Sequence, residues 1–328
     1  MKIAAYIGGL LGLSLLIILV VRADFAAMVQ TLALAGWPLL WLIPYRALFF
    51  LLYAIGWLEL LRPYDLERRA GLGYLFWVTT VREAIDRLLP VASVGGGVAA
   101  VRLVRWRGLA AAPIGASIII EILLTLIVTY AFTAVGLLLL VDLGAKGHEY
   151  RNLLLAFLAS LPVPVLTALA LHYGSVFERL EAFLRPLVGA NARSEAARSI
   201  DREVRATFRR WRSLLGAGSL QFVALISGSF EVWFSLRIFG HPIGGESAVA
   251  LEGLTQAIRL LAFVIPAGLG VQEAGLVLFG HTLGLSSELA LAVSMVKRMR
   301  EVLWGLASLL TWQWLEARRL RKLIRTPE

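Results

Sequence analysis

Apolar runs long enough to cross a bilayer, about 20 residues each, recur along the chain between short basic segments. Residues 3–21 are the first. Arg22 and Asp24 follow them with no convincing cleavage pattern, so the run reads as a retained helix. Residues 37–60 are the second, with Trp37 and Trp41 at one end and Trp57 near the other, as interfacial anchors are placed. Residues 113–141, 151–173 and 213–236 are further spans, and a long final helix runs from about 287 to 316. The basic segments 62–69, 174–212 and 318–325 belong in the cytoplasm by the positive-inside rule. Within 174–212, Val176, Phe177, Leu180, Phe183 and Leu184, then Ile200, Val204, Phe208 and Trp211, recur at helical spacing. The connector therefore predicts amphipathic helices lying on the inner membrane surface.

Two stretches depart from this pattern. Residues 71–107 begin helical, carry Arg82, Glu83, Asp86 and Arg87, and break at Pro90; Gly95, Gly96 and Gly97 follow, then Arg102, Arg105 and Arg107. Residues 247–283 begin helical, carry Glu252 and Arg259, and break at Pro266; Gly268, Gly270 and Glu273 follow. Irregular backbone at membrane depth is tolerated only inside protein or beside a water-filled cavity. Both stretches therefore read as re-entrant hairpins, which leaves six full spans and both termini in the cytoplasm.

The broken stretches also match at a fixed offset. Pro90 plus 176 is Pro266, Gly108-Leu109 plus 176 is Gly284-Leu285, and the span starting at Trp37 plus 176 gives 213, where the fifth span starts. The expected fold is an all-α polytopic membrane protein in one integral domain, 1–328, with two repeats of about 1–145 and 151–325. Three spans separate equivalent points, so the second repeat is inverted. Inverted repeats around interrupted helices are a transporter pattern, with the site near the midplane at the repeat interface.

Composition narrows the classes further. Of 328 residues, 59% are hydrophobic and 16% charged, and mean hydropathy is +0.78, which excludes a single water-soluble core and a disordered chain. Cysteine is absent and the four histidines are widely spaced, so thiolate metal centres, disulfides and Cys nucleophiles are excluded and no cofactor or metal is expected. The net charge of +10 points to anionic lipid headgroups rather than nucleic acid.

Ionisable residues inside a bilayer are costly and face a cavity or a partner. The final helix carries Lys297, Arg298, Arg300 and Glu301. Lys297 lies about 15 Å along the axis from Ser287, near the midplane. Glu121 lies in the third span and Arg46 in the second. Glu121 plus 176 is Lys297, and Glu83 plus 176 is Arg259, so equivalent positions carry opposite signs. A pseudo-two-fold axis could set those residues against each other. Arg82 with Asp86, and Glu83 with Arg87, are spaced as local i,i+4 pairs. Glu273 follows Gly270, Val271 and Gln272 at the start of a half-helix. It serves either as a cap for free N–H groups or as a carboxylate that binds a cation or proton during transport. The candidate transport set is Glu273, Gln272, Pro266, Gly268, Gly270, Pro90, Gly95, Gly96, Arg102, Glu121, Arg259, Lys297, Arg298, Arg300 and Glu301.

The run Pro266-Ala267-Gly268-Leu269-Gly270-Val271-Gln272-Glu273 resembles the Pro-x-Gly-x-Gly-x-x-Glu signature of the lysylphosphatidylglycerol synthase transmembrane region, a flippase-like superfamily. Leu88-Leu89-Pro90-Val91-Ala92-Ser93-Val94-Gly95-Gly96, with Arg102-Leu103 and Arg107-Gly108, is similar to its first hairpin. The same hairpin and the end Lys297-Arg298 with Trp312-Gln313 resemble the hopanoid-biosynthesis-associated branch. That branch often has an acid after the first Gly-Gly; Gly97 stands here, so no acidic role is carried over. Bifunctional relatives carry a large cytosolic aminoacyl-transferase domain, which the dozen residues after 316 do not supply.

The resemblance implies lipid handling in the cytoplasmic (inner) membrane. The leading expectation is a transporter or flippase for a hopanoid, an isoprenoid or an anionic phospholipid. The alternatives are a membrane-embedded lipid-modifying enzyme and a non-catalytic accessory or scaffold subunit of lipid synthesis. Against an enzyme, no Ser/His/Asp constellation or phosphate loop in strand–helix context is present. Expected partners are membrane lipids, with lipid-biosynthesis enzymes as further candidates.

Overall fold

In a bilayer every backbone N–H and C=O must find an internal partner, and an α-helix satisfies all of them within one segment. The computed structural model is built accordingly. It describes residues 36–88, 95–142, 148–179, 194–261 and 270–325, with the single positions 33 and 265. The first expected span, 3–21, lies outside the described residues, as do Pro90, Pro266 and Gly268. Among the described residues there are eleven α-helices and no strand.

Helix α1 (Leu42–Leu61) follows a 3₁₀ turn, Trp37–Trp41; α2 (Leu72–Leu88) and α3 (Gly95–Arg105) flank the first break. Helix α4 (Ala111–Asp142) comes next. Then α5 (His148–Ser160) and α6 (Pro162–Tyr173) share one expected span, divided at Leu161 where Pro162 starts a new helix. Helix α7 (Ser194–Phe208) lies in the basic connector and α8 (Trp211–Ile238) follows. Helices α9 (Gly245–Leu261) and α10 (Val271–Thr282) flank the second break, and α11 (Ser287–Arg325) closes the chain.

Among the described residues, four segments are long and apolar enough to cross a membrane: Trp37–Tyr64, Ala111–Val141, Arg151–Tyr173 and Trp211–Ile238. They match four of the expected spans to within a few residues. Helix α11 is 39 residues long, about 58 Å at 1.5 Å per residue, but Lys297, Arg298, Arg300 and Glu301 interrupt its apolar run. Helices α5 and α6 expose Leu155, Leu158, Val165 and Leu166, as lipid-facing helices do.

Helices α1 and α8 pack antiparallel at the centre: Leu42 meets Phe234 and Ile238, the Tyr45 hydroxyl donates to the Ser227 carbonyl at 3.0 Å, and Gly56 abuts Ala217. Around them, α9 packs on α4 and α11 packs on α2, while α2 holds α3 and α9 holds α10. Because α2 follows α1 and α9 follows α8, the two broken segments start from opposite ends of this antiparallel pair.

In the connector, Leu180, Phe183 and Leu184 lie outside the described residues, while the second apolar stripe packs on protein. Val204 is fully buried, and Ile200 and Phe208 pack with Ala116, Ile120 and Ala217. The apolar face of α7 is thus spent on α4 rather than left for lipid. Asp201 fixes this docking by accepting from the backbone N–H groups of Phe177 (3.3 Å) and Glu178 (3.0 Å). Helical spacing identified the apolar stripe, but spacing does not say whether protein or membrane covers it.

Candidate functional site

Charged side chains from α1, α2, α4, α8, α9 and α11 converge on one cavity of about 180 Å³. Six of its walls are cations: Arg46, Arg82, Arg87, Arg259, Lys297 and Arg300. Glu83, Asp86, Glu121, Glu231 and Glu252 face them. Burial of a charge costs several kcal/mol unless geometry and hydrogen bonds compensate, so the partner of each group matters.

Most partners are in place. Arg82 Nη1 donates to Glu121 Oε2 at 2.5 Å. Glu83 takes both Arg87 (3.0 Å) and Arg46 (3.5 Å). Lys297 pairs with Glu252, whose other oxygen accepts from Gln256 at 2.7 Å. Arg300 pairs with Glu231. Asp86 accepts from the Gly96 N–H at 2.9 Å. A Cβ on Gly96 would lie 2.5 Å from the Arg82 carbonyl oxygen, so only glycine lets α3 approach α2 this closely. Arg259 is the exception. Its Nη2 is buried without a hydrogen-bond partner among the described residues, and no ion pair reaches it there.

Glu273 sits in the first turn of α10 and is completely buried. It does not cap the helix: Gly270 stands at the N-cap in the left-handed region (φ 73°) and no side chain bonds the free N–H groups. Instead Glu273 Oε1 accepts from Arg298 Nε (3.0 Å) and Ser294 Oγ (3.2 Å), and Ser294 Oγ accepts from Gln272 Nε2 (3.2 Å). Arg298 continues to Glu301 at 3.1 Å, and Glu301 lies 4.0 Å from Arg300. One polar chain therefore runs from the second break, along α11, to Glu231 on α8. Glu273 Oε2 and Gln272 Oε1 remain buried without partners among the described residues.

A second feature adjoins the first. A slot of about 120 Å³ lies between α4, α5, α9 and α10, with walls that include Leu137, Leu153, Phe157, Leu254, Ile258 and Phe279. Thr129 belongs to both the charged cavity and the slot. On α4 the residues Glu121, Thr125, Thr129, Thr133 and Leu137 form an i,i+4 stripe that passes from charge through hydroxyls to hydrocarbon. The hydroxyls of Thr125 and Thr133 donate to carbonyls one turn back, at 2.9 and 2.8 Å, which is what allows threonine inside an apolar helix.

Of the expected set, Glu121, Arg259, Lys297 and Arg300 meet in the cavity, with Gly96 behind Asp86 at its edge. Glu273, Gln272, Arg298 and Glu301 form the linked chain beside it, and Gly95 and Gly270 start α3 and precede α10. Arg102 does not join them. Its side chain is mostly exposed and pairs with Glu316 near the end of α11. The cross-axis contacts are not formed either. Glu121 is held by Arg82 rather than Lys297, and Glu83 by Arg46 and Arg87 rather than Arg259. The i,i+4 pair Glu83–Arg87 forms, whereas Arg82 passes over Asp86 to reach Glu121. Glu231 is a wall residue that sequence reasoning missed, although an isolated acid in an apolar span is the same signal that marked Glu121. The threonine stripe was equally legible as an i,i+4 series. Among the described residues no group of His, Asp or Glu is arranged to hold a metal ion.

Compared with known proteins, residues 6–308 match the family model described as the lysylphosphatidylglycerol synthase TM region. No curated protein and no solved structure matches the chain.

Proposed function

Since the chain belongs to the lysylphosphatidylglycerol synthase transmembrane-region family, membrane proteins related to lipid metabolism or transport, we propose that it is a lipid transporter of the flippase type and not an enzyme. The cargo is a hopanoid, an isoprenoid or an anionic phospholipid, as the resemblance to the hopanoid-associated branch suggests. The membrane is the cytoplasmic one, with both termini inside. The observation that carries this reading is the buried, charge-lined cavity enclosed by helices from both parts of the chain. A water-excluded static core gains little from so many charges, whereas a polar headgroup crossing a bilayer needs them.

An inverted repeat supports the reading. Helices α3 and α10 start at Gly95 and Val271, and α4 and α11 start at Ala111 and Ser287, both at the 176-residue offset found in the sequence. Gly108 and Gly284, also 176 apart, both have positive φ (83° and 76°). The packing of α9 on α4 is the repeat equivalent of that of α2 on α11. The antiparallel α1–α8 pair lets the two broken segments enter from opposite faces. Full spans at 3–21 and 287–316 complete the six.

Two measurements test this. Single cysteines at positions 66, 105 and 195 should react only from the cytoplasmic side and one at 244 only from outside; reaction of position 105 from outside would make the first hairpin a full span and remove the inversion. In proteoliposomes carrying fluorescent phospholipid, Glu273→Gln should insert normally, because an amide still accepts from Arg298 and Ser294. Translocation should fall at least about tenfold, or ~1.4 kcal/mol in barrier height. A wild-type rate for Glu273→Gln would leave the carboxylate a purely structural partner of Arg298. If the unmutated protein moves no lipid, an accessory subunit of lipid synthesis replaces the transporter.

A further inference from the structure

Two helices build both the charged cavity and the apolar slot. The α9 residues Glu252, Gln256 and Arg259 face the cavity, while Leu254, Ala257 and Ile258 face the slot. On α4, Glu121 and Thr125 face the cavity, Tyr130, Thr133 and Leu137 face the slot, and Thr129 faces both. The stripe from Glu121 to Leu137 advances 16 residue steps, about 24 Å of helix axis. That length approaches the ~30 Å hydrocarbon thickness of a bilayer.

Arg259 lines the cavity, one residue along the chain from the slot wall Ile258, and has a buried guanidinium nitrogen that no described residue satisfies. Arg300, another cavity wall and 3% exposed, has its Nε in the same condition. Every other cation of the cavity has a carboxylate partner. A buried donor on an unpaired cation costs more than almost any other defect in a folded protein. Leaving one beside an apolar slot makes physical sense where a ligand supplies the missing acceptor.

Resting on the transporter reading, we infer that the cavity and slot form one binding site for a single amphiphile with an anionic headgroup. The oxygens of the headgroup accept from Arg259 in the cavity, and its apolar tail passes Thr129 to lie between α4, α5, α9 and α10. Arg259 is the residue that selects the charge of the cargo, and Ala257 and Leu153 bound the space for its tail. Zwitterionic lipids bring a second, positive group, which a cavity wall with six cations against five acids, those acids mostly engaged in ion pairs, disfavours. The shared chemistry, an anionic oxygen on the buried Nη2 of Arg259, is also offered by a free phosphate, which has no tail to fill the slot.

The test uses the purified full chain in nonionic detergent, with lipid retention read by native mass spectrometry and unfolding temperature read in parallel. Three probes are compared: dioleoylphosphatidylglycerol, dioleoylphosphatidylcholine and inorganic phosphate. Phosphatidylglycerol should bind at least about tenfold more tightly than phosphatidylcholine. Arg259→Gln should abolish that preference, and Arg259→Lys should retain it. Ala257→Phe, which fills the slot, should weaken phosphatidylglycerol about tenfold with the unfolding temperature preserved. Leu153→Trp fills the same slot from α5 should the first variant fail to fold. Inorganic phosphate at equal concentration should give no stabilisation.

Equal binding of the two lipids overturns the inference. So does an unchanged preference in Arg259→Gln. Phosphate protection equal to that of phosphatidylglycerol, unaffected by Ala257→Phe, would make the cavity a free-anion site and likewise overturn it. Translocation without headgroup preference sinks this inference and leaves the transporter reading standing; selective binding without translocation sinks the transporter reading and leaves the site.

Discussion

The pairs Arg82–Glu121 and Lys297–Glu252 each join a long helix to a shorter one, with the signs exchanged. In the first, the long helix α4 carries the acid and the shorter α2 the base. In the second, the long helix α11 carries the base and α9 the acid. The side chains of the second pair are 7% and 3% exposed, while Arg82 in the first retains 17%. Each site thus keeps a neutral pair whichever helix supplies the acid. Neither pair joins helices that pack closely on each other, since α2 packs on α11 and α9 on α4. Opposite signs at positions 121 and 297 look complementary in the sequence, but Glu121 takes Arg82 and Lys297 takes Glu252. Among the described residues Arg259 has no such partner in the cavity.

Breaking the more buried pair should have the larger effect. Lys297→Met strands Glu252 with only Gln256 as a donor, and removal of one partner of a buried pair costs ~3–5 kcal/mol. The double variant Lys297→Met with Glu252→Leu should regain more than half of that loss, since no charge is left uncompensated. The measurement is the free energy of unfolding in detergent for both single variants and the double. Additive losses would mean that the two residues do not interact, and the comparison would lose its better-buried member.

Glu121→Gln should cost less, about 1.5–3 kcal/mol, the range for a hydrogen bond to a charged group. The amide still accepts from Arg82, and Asp86 and Glu83 lie close enough to share that cation. The same unfolding experiment checks it. A loss as large as that of Lys297→Met would show that exposure of Arg82 does not soften the defect, and the two pairs would then be equally dry.

Much of this arrangement was legible before any coordinates. Hydropathy located α1, α4, the α5–α6 segment and α8 because lipid imposes one simple requirement on length and polarity. Pro90 and Pro266 lie outside the described residues, between helices that end at Leu88 and Leu261 and begin again at Gly95 and Val271; the acid Glu121 announced a buried site because charge in a bilayer is rare. Partner choice was not legible. Which of two cations Glu121 takes depends on the azimuth of α2 about α4, and helical periodicity fixes the face of a residue but not the identity of the helix packed on that face. The connector shows the same gap: the stripe Ile200, Val204 and Phe208 was read correctly as apolar, and only packing shows that α4 covers it. Glu231 and the stripe of Thr125, Thr129 and Thr133 lay within reach of the same reasoning.

Arg102 gives the smallest expected effect and marks the outer boundary of the comparison. Sequence reasoning placed it with the transport residues because it follows the first glycine run. Its guanidinium instead pairs with Glu316 at the surface, with 61% of its side chain exposed. Exposed ion pairs contribute ~0–1 kcal/mol, because water screens the charges and two long side chains must be held in place. Nearby, Arg319 stacks over the ring of Trp106 and Arg318 over Trp314, so this end of α11 retains anchors after the pair is lost. Arg102→Ala should therefore change unfolding free energy by no more than ~1 kcal/mol and leave lipid translocation within about twofold of the unmutated rate, or ~0.4 kcal/mol in barrier height. A loss of transport like that expected for Glu273→Gln, at unchanged stability, would move Arg102 into the cargo path. The site would then extend from the buried pairs to the membrane surface.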